Sequence, residues 1–105
     1  MPVSFYQRCD VTNPDELGAF FSELHEPIDI LVHSIAYANP ETFALPIHQI
    51  SQADFADALT TSSYSLIPLN CAPACPTMPQ GGSVIAMTYL GGKRVVANYK
   101  LIGDR

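Results

Sequence analysis

Apolar and polar positions change period several times along this chain, and each change marks an element. Residues 3–9 mix Val3, Phe5 and Tyr6 with polar neighbours and read as a strand. Thr12, Asn13, Pro14, Asp15 and Glu16 then make a helix start. Thr12 or Asn13 can cap it, Pro14 suits a first turn, and the two acids favour the positive end of the helix dipole. Leu17, Phe20, Phe21 and Leu24 recur at the i, i+3, i+4, i+7 spacing of one apolar helix face, which Glu26-Pro27 ends. Residues 28–33 form the second expected strand. Ile30, Leu31 and Val32 do not alternate, as in a strand covered on both faces, and Asp29 marks its solvent-facing start.

Residues 34–46 read as a loop, with Pro40 and Pro46 blocking regular structure. Ser51-Gln52-Ala53-Asp54 is similar to a capping box, with Asp in place of Glu. Phe55, Ala58, Leu59, Ser62 and Leu66 continue a helical face, until Pro68, Pro73 and Pro76 are expected to interrupt it. An interior proline costs about 3 kcal/mol through the lost hydrogen bond and the ring clash. Val84 to Met87, between Gly81-Gly82 and Gly91-Gly92, is a third expected strand, again with the pattern of burial on both faces. Strand, helix, strand, helix, strand is the order of parallel crossover units, so the expected fold class is α/β. Tyr89 follows the last strand and Tyr99 comes ten residues later. Ligands of open α/β sheets bind beyond the carboxyl ends of the strands, where two phenols can reach one substrate. Spacing alone favours the plainer reading that both tyrosines pack.

Composition narrows the partners more than the fold. At 105 residues the chain is at most one small domain, and 48% hydrophobic with 14% charged residues excludes a disordered or highly charged tail. A net charge of −5 and a pI near 4.8 argue against nucleic acid or an anionic membrane surface. No apolar run approaches the roughly 20 residues of a membrane helix, and Met1-Pro2-Val3-Ser4 lacks a signal pattern. The three cysteines are an odd number. Cys71 and Cys75 are four apart rather than at the spacing of redox or zinc motifs, and His25, His33 and His48 lie far from them, so no metal is expected and reduced thiols are the simpler reading.

Five motifs, in order, carry a resemblance over nearly the whole chain: Cys9-Asp10-Val11, His33-Ser34-Ile35-Ala36-Tyr37-Ala38, Ser63-Tyr64-Ser65-Leu66, Gly81-Gly82-Ser83, and the run from Thr88 to Tyr99. Together they resemble the bacterial and plastid enoyl-acyl-carrier-protein reductases, a divergent branch of the short-chain dehydrogenases/reductases. The resemblance implies a partial Rossmann-like, doubly wound parallel sheet, three-layered α/β/α in the parent family. Residues 1–105 would form a single incomplete dinucleotide-binding domain. It implies catalytic roles for Tyr99, hydrogen-bonding the thioester carbonyl as the enolate develops, and for Tyr89, the family's second active-site tyrosine. Asp10 would accept from the adenine amine while Val11 offers its backbone and an apolar wall. Ser34, Ile35 and Ala36 would line the ribose and nicotinamide, where ordinary short-chain dehydrogenases carry Asn-Ala-Gly. Ala38 would touch substrate, and Tyr37 stands where the family often has Phe. The implied reaction is hydride transfer from NADH, less often NADPH, to the β-carbon of a trans-2-enoyl thioester on acyl carrier protein. A homotetramer in the bacterial cytoplasm or plastid stroma completes the family picture.

Departures from the family pattern set further expectations. No glycine-rich phosphate loop follows a strand here, and the lysine expected seven positions after the catalytic tyrosine would stand at position 106. In the 3-2-1-4-5-6 strand order the three strands would be the third, fourth and fifth, leaving a gap of about 14 Å between the first of them and its neighbours. The chain therefore reads as an internal fragment that alone binds no NADH with useful affinity and turns over nothing. Two other readings are a generic short-chain dehydrogenase, disfavoured by the Tyr89–Tyr99 spacing and by His33-Ser34-Ile35, and a non-catalytic remnant able to join an intact homologue as a partial subunit.

Overall fold

Asn13 begins the first regular element: its side-chain oxygen accepts from the amides of Asp15 and Glu16 at 3.0 and 3.3 Å, and helix α1 runs Pro14–Glu23. A computed structural model describes Val3, residues 5–70 and residues 78–97. The expected apolar face of α1 is present, with Leu17 buried and Phe20, Phe21 and Leu24 half-buried. The Phe5 ring packs on it, centroid 5.4 Å from that of Phe20, which meets Phe21 edge-on at the same distance. Phe5 thus covers a helix instead of lying in a sheet. Val3 and residues 5–9 form no strand, so the first expected strand is corrected. A strand exists only as one side of a ladder, and the expected gap leaves this segment without a neighbour.

The other two strands form as a parallel pair, β1 (Ile30–His33) and β2 (Ser83–Ala86), in the register Ile30 to Ser83 through His33 to Ala86. That is the pairing an α/β crossover fold requires. The Ser83 amide donates to the Asp29 carbonyl and the Met87 amide to the His33 carbonyl, both at 2.9 Å, extending the ladder at each end. Gly81 turns the chain into β2 with φ of +80°, a conformation costly for a residue with a Cβ.

Because paired residues of a parallel ladder share a face, Leu31, His33, Val84 and Ala86 face one way and Ile30, Val32, Ser83 and Ile85 the other. The second face is bare: Ile30, Val32 and Ile85 are 59%, 55% and 47% exposed. Burial of the strands on both faces is therefore corrected, since every residue of β2 is exposed and only His33 of β1 is buried. Among the described residues the sheet is two strands wide.

Between the strands, the loop after β1 includes short 3-10 turns at Pro40–Phe43 and Ile47–Gln49. Ser51 caps α2 (Gln52–Leu59): its hydroxyl accepts from the Asp54 amide at 3.0 Å and donates to the Asp54 carboxylate at 2.7 Å. Asp is one methylene shorter than Glu, and here its carboxylate takes the cap's hydroxyl. Ala58 of α2 meets Ala38 in a small core that Phe43 and Ile50 close. The helical path continues through a π turn, Thr60–Tyr64, into α3 (Leu66–Asn70). Pro68 lies inside α3 and does not interrupt it, correcting the expectation. It stands third in the helix, within a first turn whose amides have no intrahelical acceptor to lose. Pro73 and Pro76 lie outside the described residues. No described helix is long and apolar enough to cross a membrane.

Candidate functional site

Residues 34–38 leave the carboxyl end of β1, where ligand sites of open α/β sheets form. What shapes this segment comes from the π turn. Ser62 accepts from the Tyr37 amide at 2.9 Å and donates to the Tyr37 carbonyl at 3.0 Å, so one hydroxyl satisfies both backbone groups of one loop residue. Ser65 meets His33 at the other end of the segment, Oγ to Nε2 at 2.8 Å. Both serines and His33 are buried: Ser62 is 7%, Ser65 1% and His33 3% exposed. The Ser65 hydroxyl donates to the Thr61 carbonyl at 2.7 Å. A hydroxyl has one proton, so Ser65 accepts from His33, which must carry its hydrogen on Nε2.

The same bond lies within the π turn. In a regular helix the Ser65 amide would donate to the Thr61 carbonyl, four residues back. That carbonyl is held by the Ser65 hydroxyl, and the amide donates to the Thr60 carbonyl, five residues back, at 3.1 Å. Back-bonding of a serine to the i−4 carbonyl competes with the helical ladder and bends helices, and π turns of this kind concentrate at functional sites.

Two clefts flank the turn. One, of about 360 Å³, is lined by Asp10, Thr12, Tyr37, Asp57, Thr60 and Thr61. The other, of about 100 Å³, is lined by His33, Ser62, Ser63, Leu66, Ala86, Met87 and Thr88. The first touches the Tyr37 end of the 33–37 segment and the second its His33 end, so that segment borders both. Asp10, far away in sequence, thus shares a cleft with the loop after β1, while the second cleft opens at the end of β2, one residue before Tyr89.

Asp10 is held ready as an anion. Its Oδ1 accepts from the Thr12 hydroxyl at 2.7 Å and the Thr12 amide at 2.9 Å, and its carbonyl accepts from the Asn13 amide at 3.0 Å. The Thr12 hydroxyl first, then the Thr12 amide, hold its carboxyl below the usual carboxylate value, with Arg8 adding a smaller pull. Both side-chain bonds use Oδ1, leaving Oδ2 outside the turn. Burial, then the neighbouring charges of Glu16 and Asp10, push the Cys9 thiol up, which keeps it protonated.

Of the expected site residues, Asp10 lines a cleft, Val11 is half-buried beside it, and Ser34, Ile35 and Ala36 form the segment tied between His33 and Tyr37. Ala38 packs in the core against Ala58, so its methyl group supports the segment from behind. Tyr89 follows the second cleft and is 38% exposed. Tyr99 lies outside the described residues, so the expected convergence of the two phenols is not part of the described geometry. Sequence reasoning missed Ser62, Ser65, Thr60 and Thr61 as site-forming residues. For Ser62 and Ser65 the available signal was their position, small hydroxyl side chains at i, i+3 on a helix face otherwise expected to be apolar; Thr60 and Thr61 carried none. No three His, Cys, Asp or Glu side chains cluster as a metal would require among the described residues.

A family profile described as enoyl-(acyl carrier protein) reductase matches residues 1–104. Over 103 residues the chain is 39% identical to the NADH-dependent enoyl-acyl-carrier-protein reductase FabI of Nostoc sp., covering 95% of this chain and 40% of that protein. It is 36% identical over 105 residues to the NADPH-dependent FabI of Staphylococcus aureus, covering 97% of this chain and 41% of that one. The crystal structure of the Anaplasma phagocytophilum enoyl reductase in complex with NAD superposes with a TM-score of 0.85 at 27% identity, over 91% of this chain and 38% of that one. The chain therefore spans about two-fifths of the length of these relatives.

Proposed function

This chain belongs to the enoyl-(acyl carrier protein) reductase family, and from that premise we propose that it forms the cofactor-facing and substrate-facing wall of such an enzyme, as part of one dinucleotide-binding domain. The reaction is hydride transfer from NADH, or NADPH, to the β-carbon of a trans-2-enoyl thioester carried on acyl carrier protein. Both nicotinamide cofactors stand in the names of its relatives. Asp10 accepts from the adenine amine through Oδ2, and Val11 walls the base. Ser34, Ile35 and Ala36 carry the ribose and nicotinamide, and Ala38 backs the substrate. Tyr99 donates to the thioester carbonyl as negative charge develops there, with Tyr89 beside it. The setting is the bacterial cytoplasm or the plastid stroma, and the assembled enzyme is a homotetramer.

The observation that supports this reading is the cleft lined by both Asp10 and Tyr37, which brings a carboxylate beside the loop after β1. The 105 residues contain no glycine-rich phosphate loop, so titrating the purified chain with NADH should show no saturable binding. The activity is tested in a hybrid in which these residues replace the matching stretch of the Nostoc reductase. Folding is verified by circular dichroism. Crotonyl-thioester-dependent NADH oxidation supports the proposal. A folded hybrid that reduces ketones instead makes the chain a generic short-chain dehydrogenase, and one that does neither makes it a non-catalytic remnant.

A further inference from the structure

We infer that Ser62 and Ser65 are positioning residues. They lock the segment 34–38 into its shape, and Ser65 also generates the π turn that brings both hydroxyls into reach. This rests on the proposed role of Ser34, Ile35 and Ala36 as the cofactor-facing wall. The two hydroxyls sit three positions apart, on the side of the helical path that meets the loop. Ser62 takes the amide and carbonyl of Tyr37 together, at 2.9 and 3.0 Å, as a partner strand would. Ser65 takes the Nε2 hydrogen of His33 at 2.8 Å and passes its own proton to the Thr61 carbonyl at 2.7 Å. The loop is thus fixed at both ends by buried hydroxyls, Ser62 7% and Ser65 1% exposed, for which water competes weakly. Neither serine lines the proposed adenine cleft; Ser62 borders the smaller cleft, but its hydroxyl is bonded to the Tyr37 amide and carbonyl, so the positioning runs through Tyr37 and His33.

The arrangement specifies three things that a merely packed serine would not. His33 carries a hydrogen on Nε2. The Tyr37 amide is protected although Tyr37 itself is exposed. Threonine keeps the hydroxyl, whereas alanine and cysteine do not supply an equivalent donor and acceptor.

The test is nuclear magnetic resonance of the full chain, labelled with ¹⁵N and with no cofactor present. The wild type should show the Nε2–H tautomer of His33 and slow exchange of the Tyr37 amide. Ser62→Ala should speed that exchange about tenfold or more and shift the amides of residues 34–38, leaving α1 resonances in place, and Ser62→Thr should restore both. Ser65→Ala should release the tautomer and return the Thr60–Tyr64 amides to a regular helical pattern. An Nδ1–H tautomer in the wild type, or Ser62→Ala with residues 34–38 unmoved, overturns the inference. If Ser62→Ala fails to fold, the tautomer and the Ser65→Ala response decide it. In the hybrid reductase, Ser62→Ala should raise KM for NADH about tenfold with kcat changed less. An unchanged KM in an active hybrid defeats the positioning role alone, whereas a hybrid inactive with the wild-type segment defeats the functional reading and leaves the resonance result to stand by itself.

Discussion

The carbonyl oxygen of Asp29 lies 2.7 Å from the point where a Cβ on Gly82 would stand, and the Met78 sulfur lies 2.8 Å from it. That carbonyl also accepts the first ladder bond of β2, from the Ser83 amide. Backbone cannot retreat as a side-chain end can. Gly82→Ala is therefore expected to pry the start of β2 from β1 and destabilise the chain by about 1–3 kcal/mol, as overpacking does. Urea unfolding of wild type and variant measures it, and an unchanged midpoint would mean that the strand pair does not depend on this contact.

Ser51 caps α2 through the Asp54 amide. Replacing it with alanine leaves that amide unpaired and should cost about 1 kcal/mol. Ser51→Asp restores an acceptor and should recover most of the loss, which thermal denaturation followed by circular dichroism will read. Equal losses for both variants would rule out capping as the cause.

The carboxyl of Asp54 is held below the ordinary carboxylate value by the Ser51 hydroxyl first and the Asn39 amide second. A carboxylate whose folded value is lowered contributes stability above its unfolded value, near pH 4, and loses it as pH falls through the folded value. Asp10 behaves in the same sense through Thr12. Stability should be level from neutral pH down to about 4 and then decline, and Asp54→Asn should flatten part of that decline. A variant whose acid limb matches the wild type would show that Asp54 does not set it.

The bare sheet face predicts behaviour in solution. Ile30, Val32 and Ile85 are about half exposed together, and uncovered apolar sheet surface promotes association. Sedimentation velocity of the purified chain should show mass rising with concentration. Val32→Lys should reduce that rise, while Val95→Lys, at a fully exposed position outside the strands, should not. Concentration-independent monomers of the wild type would contradict this.

For chemistry, Tyr99→Phe in the hybrid reductase should lower kcat by about 10²-fold with little change in KM, as expected for a donor that acts on charge developing in the transition state. A matched drop from Tyr89→Phe with Tyr99→Phe neutral would exchange the two roles.

Much of this molecule was legible in its sequence, and the misses have physical causes. The α1 start, its apolar face and the Ser51 cap are local, written within four residues of where they act, and the structure has them. The parallel pairing of β1 and β2 followed from the order of elements. Residues 3–9 have strand composition, but a strand is a relation between segments, and Phe5 found a helix to cover instead. The uncovered faces of β1 and β2 failed for the same reason, since an apolar run states a preference for cover without supplying it. Pro68 was misread because its cost depends on its place in a turn, and a widened turn upstream let a new helix begin. The site showed the same division. Asp10 and Ser34 to Ala36 came from motif, whereas the Ser62–Tyr37 and Ser65–His33 bonds span 25 and 32 residues, which no local pattern carries.

Helical winding counts residues, and the stretch from Thr60 to Tyr64 holds one more than a regular turn would use. Losing that one residue would return a regular turn with the flanking segments nearly in phase, whereas adding another would rotate all that follows by about 100°, carrying Ser65 off His33 even if every side chain were kept. Chain length across this bend is therefore a constraint of its own, and an insertion here would do more harm than most substitutions.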